Sequence, residues 1–252
     1  MRQELQILYE DPDIIVCFKP HGLATQSHRI STPDLEHMIL NHLAETEHSS
    51  SSHKHRSAPY LAVVHRLDQP VEGVLVFGKN PKAARELSSQ ISSGKMQKFY
   101  LAVTYGRPPA ENGELEDYLK KDGKTNMSCA VKRDTPGSKK ARLSYRVLEK
   151  TTDKISGKEK YLLQIHLETG RHHQIRVQMA HAGMPLAGDR KYGTDTGISA
   201  GTGGLALCAA SLTFYHPFTK KEQTYETLPQ SPAFDGFCTD KRVFAIHSTT
   251  CS

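Results

Sequence analysis

The apolar residues of this chain come in short bursts, and that brevity constrains its fold more than any other feature. Residues 14–18 (IIVCF) and 74–77 (VLVF) are far too short to cross a bilayer as helices and match buried strands closed by turns. Lys19-Pro20-His21-Gly22 supplies the first of those turns. Residues 61–64 (LAVV) predict a further strand. Two segments alternate instead. Phe99, Leu101, Val103 and Tyr105 share one face of residues 98–105, with Tyr100, Ala102 and Thr104 on the other. Tyr161, Leu163, Ile165 and Leu167 stand opposite Gln164, His166 and Glu168 in the same way. Residues 205–215 and 222–228 close the chain as strands. Strands therefore outnumber helices. The expected class is α+β: a mixed, mostly antiparallel sheet with a few covering helices, in one domain of two lobes over residues 1–252.

Two helices are predicted. Asn80-Pro81 gives an N-cap and a first-turn proline, Ala84, Leu87 and Ile91 share one face, and Gly94 is the stop. The second runs from His172 towards Ala182, closed by Gly183 and Pro185. Residues 45–58 (ETEHSSSSHKHRSA), poor in large apolar residues and rich in Ser and His, predict a long mobile loop. Residues 193–204 are glycine-rich but lack the lysine and spacing of a phosphate loop, and read as a flexible connector.

Charge adds a partner class. The 252 residues carry 33 Lys plus Arg against 27 Asp plus Glu, a net +6. Residues 120–142 contain eight cations and two anions, which equals that whole excess. Gly123, Pro136 and Gly137 punctuate the segment, so it reads as a hairpin or loop suited either to solvent or to a polyanion. Five cysteines without a Cys-x-x-Cys pair argue against a disulfide framework, and the N-terminus lacks a signal-peptide core. A reduced, cytoplasmic protein without membrane attachment is expected.

Two clusters of ionisable residues adjoin short strands. His65-Arg66-Leu67-Asp68 follows the strand predicted at residues 61–64. Asp68 there suits a nucleophile, a general base or a metal ligand, although those four residues alone favour a turn aspartate paired with Arg66. In Arg171-His172-His173-Gln174-Ile175-Arg176, helical spacing puts His172 and His173 on the side of Arg176. Adjacent histidines on a helix diverge by about 100°, so zinc is not expected. Asp68 with Glu72 is a carboxylate pair of the kind a glycosidase uses, by proximity alone.

Five blocks in order resemble the RluA-type RNA pseudouridine synthases over residues 7–229. They are Ile7-Leu-Tyr-Glu-Asp with Lys19-Pro20-x-Gly22-Leu23; His65-Arg66-Leu67-Asp68 with Gly73-Val-Leu-Val; Lys98-Phe-Tyr100-Leu-Ala; Glu168-Thr-Gly-Arg-His-His-Gln-Ile-Arg176; and Pro185-Leu-Ala-Gly188-Asp189 with Tyr192-Gly193. The resemblance implies a pseudouridine-synthase-like two-lobed catalytic domain that isomerises uridine in rRNA or tRNA to its C5-glycoside, without cofactor or metal. It places the catalytic aspartate at Asp68, the active-site tyrosine at Tyr100 and the basic residue paired with the aspartate at Arg176. Arg66 is implied to help hold the target nucleotide out of the stack. RNA contact is further expected from Arg171, His173, Lys132, Arg133, Lys139 and Lys140, in a monomer that starts at the catalytic block without a preceding RNA-binding domain. Val71-Glu72 and Val177-Gln178 depart from the Thr-Ser and Val-His frequent in the family. The rival reading is an RNA-binding protein on the same scaffold without turnover.

Overall fold

The computed structural model describes residues 4–27, 32–50, 58–153, 157–193 and 203–240. The chain divides into two compact units. Unit 1 comprises Met1–Met96 with Leu212–Thr227, and unit 2 Gln97–Ser211 with Leu228–Ser252. Among the described residues no helix is long and apolar enough to cross a membrane.

Unit 1 contains β1 (Gln6–Glu10), β2 (Ile14–Lys19), α1 (Leu35–Ser50), β3 (Glu72–Gly78), α2 (Pro81–Ser92) and β10 (Glu222–Glu226). Strand β9 (Leu207–Tyr215) belongs to both units, changing over at Leu212. The strand order here is β1-β2-β3-β9, with β10 on β9. Strand β2 is buried along its whole length and pairs antiparallel with β3, Val16 opposite Val76. Their Ile14, Val16, Val74 and Val76 pack with Leu87 of α2 and Phe214 of β9. The N-cap of α2 is as expected: Asn80 Oδ1 accepts from Ala83 N at 2.9 Å, an arrangement worth about 1 kcal/mol. Its buried face is Ala83, Leu87 and Gln90, one step round from the predicted Ala84, Leu87 and Ile91.

Two expectations need correction in this unit. Residues 45–50 are helix, not loop, because α1 runs through them to Ser50; residues 51–57 lie outside the described set. Asp34 starts that helix by accepting from His37 N, and Leu35, Ile39 and Leu43 bury one face. No glycine or proline then interrupts the turn-by-turn propagation before Ser50. Residues 61–64 form no strand. Only Ala62 makes a bridge, to Gly78 at the end of β3.

Unit 2 contains β4 (Gln97–Thr104), β5 (Asn112–Asp122), β6 (Met127–Val131), β7 (Lys139–Thr152), β8 (Glu159–Leu167) and α3 (Gln174–His181), in the order β9-β4-β8-β7-β5-β6. Strand β4 is buried on both faces from Tyr100 to Thr104, although its sequence alternates. The basic segment is sheet: β5 and β6 form a hairpin through Gly123, and β7 returns antiparallel to β5. Helix α3 packs Val177 against Leu119 and Ala141 of those strands. Residues 194–202 of the glycine-rich connector lie outside the described set.

Candidate active site

In unit 1 the loop bearing Asp68 is stitched to the loop after β2. The Thr25 hydroxyl donates to Leu67 O and accepts from Leu67 N. His65 Nε2 accepts from Val76 N of β3 at 3.2 Å, so its proton sits on Nδ1. Asp68 O accepts from Val71 N at 2.9 Å, closing a turn. Gln69 O accepts from Gly22 N and from Lys19 Nζ, both at 3.1 Å, while Gln69 Nε2 donates to Gly22 O at 3.0 Å. Gly22 has φ +83°, a left-handed conformation that costs glycine least. The backbone is thus fixed on both sides of Asp68, which is half-buried, beside an exposed Arg66.

Lys19 is the residue that sequence reading passed over. It ends the fully buried β2, is itself buried, and also donates to Pro20 O and to Leu23 O at 2.6 Å. Burial pushes its ammonium down to about 7, against the opposing pull of the Asp68 and Glu72 charges. The available signal was a lysine closing an otherwise apolar strand. Val71 and Glu72, which depart from the family pattern, are both buried.

In unit 2, Tyr100 lies on β4 opposite Ile165 of β8 and is 8% exposed. Phe99, on the other face, stacks on His166 at 4.6 Å between ring centres. Arg176 is buried on α3 and meets Asp189 through two parallel hydrogen bonds, Nε to Oδ2 at 2.8 Å and Nη2 to Oδ1 at 2.7 Å. The Tyr192 ring lies 5.2 Å from its guanidinium carbon. Tyr192 Oη accepts from Ser128 N of β6 at 2.8 Å and bonds His173 Nδ1 at 2.7 Å.

The helical reading of His172 and His173 is corrected by this geometry. Helix α3 starts only at Gln174, because His173 takes a left-handed φ of 53°. The two imidazoles stack at 3.8 Å, and His172 Nδ1 bonds Ser128 Oγ at 2.9 Å. Helical i, i+4 spacing therefore does not relate His172 to Arg176. Gln178 donates to Leu115 O, Asp117 Oδ2 and Ala141 O, which ties α3 to β5 and β7.

Of the residues expected to contact RNA, Arg66, Arg171, Lys132, Arg133, Lys139 and Lys140 are exposed, whereas His173 is buried. Lys132 and Arg133 follow β6, and Lys139 and Lys140 begin β7. Lys140 pairs with Glu116 at 2.8 Å, and Arg142 lies within ion-pair distance of Glu114, Glu116 and Glu168. Arg171 Nε donates to Lys140 O. Arg66 and Asp68 thus belong to unit 1, and Tyr100, Arg171, His173, Arg176 and the basic strands to unit 2.

Among the described residues, Asp11, Asp13 and His216 form the single cluster with metal-binding proximity. Its atoms are already engaged. Asp11 accepts from Asp13 N, Ile14 N, Tyr9 Oη and His216 Nε2, while His216 Nδ1 accepts from Phe218 N and Thr219 N. It serves as a turn cap joining β1 to the β9–β10 connection.

The sequence profile described as RNA pseudouridylate synthase matches residues 13–181. The chain belongs to the RNA pseudouridylate synthase family. An uncharacterized RNA pseudouridine synthase of Bacillus subtilis is 33% identical over 91% of this chain and 71% of its own length. The tRNA pseudouridine synthase C of Haemophilus ducreyi is 33% identical over 89% of this chain and 91% of its own. The ribosomal large subunit pseudouridine synthase D of Borreliella burgdorferi is 31% identical over 75% of this chain, which spans only 55% of that relative. A Chloroflexus aurantiacus relative, 39% identical, is spanned for 38% of its length. The solved structure of human RNA Pseudouridylate Synthase Domain Containing 1 superposes with a TM-score of 0.70 at 21% identity, over 89% of this chain and 83% of that one. That likeness is one of fold. As an RNA pseudouridylate synthase the protein is an isomerase, with the α+β class that the strand pattern predicts.

Proposed function

We propose that this pseudouridine synthase isomerises specific uridines of ribosomal or transfer RNA, with Asp68 as the catalytic carboxylate. The bond between N1 of uracil and C1′ of the ribose breaks, and C5 bonds to C1′ in its place. The hydrogen on C5 goes to solvent and N1 gains one, so atoms balance without a cofactor or metal. Asp68 acts as nucleophile or base. The family resemblance gives Arg176 the role of basic residue, Tyr100 that of active-site tyrosine, and Arg66 that of holding the nucleotide out of the stack. Arg171, His173, Lys132, Arg133, Lys139 and Lys140 contact the RNA. The protein acts as a cytoplasmic monomer.

The observation that carries this reading is the pinned backbone around Asp68, with Thr25 holding Leu67 and Lys19 holding Gln69. A carboxylate that must meet one atom of an extruded nucleotide gains most from such fixed geometry. Total RNA from cells lacking the protein, labelled with tritium at uracil C5, tests it directly. Tritium release on adding the protein is expected. RNA binding without release would leave only a scaffold that binds RNA.

A further inference from the structure

Asp189 is a buried carboxylate to which the reaction assigns no chemistry. Its Oδ1 accepts from Lys191 N at 2.9 Å and Tyr192 N at 3.2 Å, which suffices to close the turn after Gly188. Its Oδ2 accepts Arg176 Nε, and Oδ1 also takes Arg176 Nη2, so the carboxylate lies along one edge of the guanidinium. Tyr192, anchored through its hydroxyl to Ser128 N and His173, covers the same guanidinium with its ring. Two independent contacts therefore restrict one side chain. Burial opposes ionisation of Asp189, but the Arg176 guanidinium and the two backbone N–H groups outweigh it and hold the carboxyl below the usual range.

A buried ion pair is a poor source of stability, since an apolar pair of the same volume does as well or better. What the bidentate pair supplies is direction. With Nε and Nη2 both held by one carboxylate, the plane and orientation of the guanidinium are fixed. We propose that Asp189 is a positioning residue that aims Arg176 for the isomerisation. The inference rests on the role assigned to Arg176 above.

A double-mutant cycle tests it, using single-turnover tritium release from C5-labelled total RNA at saturating enzyme. Asp189→Asn and Arg176→Lys should each lower the saturating rate by roughly 10²-fold, with RNA affinity changed less than about threefold. The double variant should be no slower than Arg176→Lys alone, because Asp189 acts only through that arginine. Asp189→Glu, which keeps the charge but moves it by one methylene, should fold and still lose rate, so the test survives if the Asn variant fails to fold. In the Asp189→Asn protein the Arg176 Nε–H should exchange with solvent faster by NMR. Multiplying losses in the double variant, or full activity of Asp189→Glu, would overturn the inference and leave the role of Arg176 standing. Wild-type activity of Arg176→Lys would also overturn the inference, and wild-type activity of Arg176→Met would overturn the role of Arg176 with it.

Discussion

The Thr25 hydroxyl serves both backbone groups of Leu67, accepting from its N–H at 3.2 Å and donating to its carbonyl at 2.9 Å. Leu67 is 7% exposed and immediately precedes Asp68, so one side chain from the preceding loop fixes the approach to the candidate catalytic residue. Thr25→Val keeps the shape and leaves two buried polar groups unmatched. The expected loss is about 1–3 kcal/mol of stability, with a lower saturating rate. Thr25→Ser should restore both in urea unfolding and single-turnover assays. A Val variant as stable and as fast as wild type would show the hydroxyl to be dispensable.

How much of this was legible in the sequence depended on where the determining contact lies. Strands β2 and β3 and helix α2 are encoded locally, by apolar runs and by Asn80-Pro81, and they form as expected. Helix α1 is also readable, in Asp34 and the spacing of Leu35, Ile39 and Leu43, but residues 45–50 at its C-terminal end have the Ser- and His-rich composition of a loop. The basic segment hid three strands because its charged residues stand on exposed positions of β5 and β7. Asp68, Tyr100 and Arg176 lie in contiguous motifs, whereas the contacts that fix the backbone around Asp68 come from far along the chain. Thr25 meets Leu67 across 42 residues, and Lys19 meets Gln69 across 50. The left-handed His173 that delays α3 is a local strain that only the surrounding Tyr192 and Ser128 contacts explain.

Lys19 should give stability a distinctive pH dependence. Its ammonium titrates at about 7 in the folded protein against an ordinary 10.5, so the unfolded chain binds more protons between those values. Stability contributed through this group therefore rises as pH climbs from about 7, and its full cost applies below that. Urea unfolding of wild type and Lys19→Met across pH 6 to 10 measures the difference. Wild type should gain stability relative to Lys19→Met as pH rises above about 7. Parallel curves would place the buried amine outside that titration.

The ion pairs on β5 and β7 divide the basic segment. Lys140 is engaged by Glu116, while among the described contacts Lys132, Arg133 and Lys139 have no carboxylate partner within ion-pair distance. Neutralising those three together should make log affinity for RNA less steep against log salt by roughly 0.7–0.9 per lost contact. Lys140→Gln alone should change the slope less. Filter binding with bulk tRNA and rRNA from 50 to 300 mM salt, on the order of the range where counterion release is readable, would show it. An unchanged slope in the triple variant would make the segment a solvated surface.

Gln178 stands where the family often has histidine, and its amide donates to three acceptors on β5 and β7. Gln178→Leu should cost about 1–3 kcal/mol by stranding buried carbonyls. Thermal unfolding checks it, and a melting temperature equal to wild type would contradict the tie between α3 and those strands.

The central claim is that Asp68 performs the isomerisation. Asp68→Asn is close to isosteric and leaves the Thr25 and Lys19 contacts to its neighbours in place, but an amide is a far weaker nucleophile and base. C5-tritiated total RNA from cells lacking the protein should release tritium with wild type under single-turnover conditions. The Asn variant, still folded and still binding RNA, should release it at less than about one hundredth of that rate. Release by the Asn variant at a rate near wild type would contradict the assignment and move the chemistry to another residue.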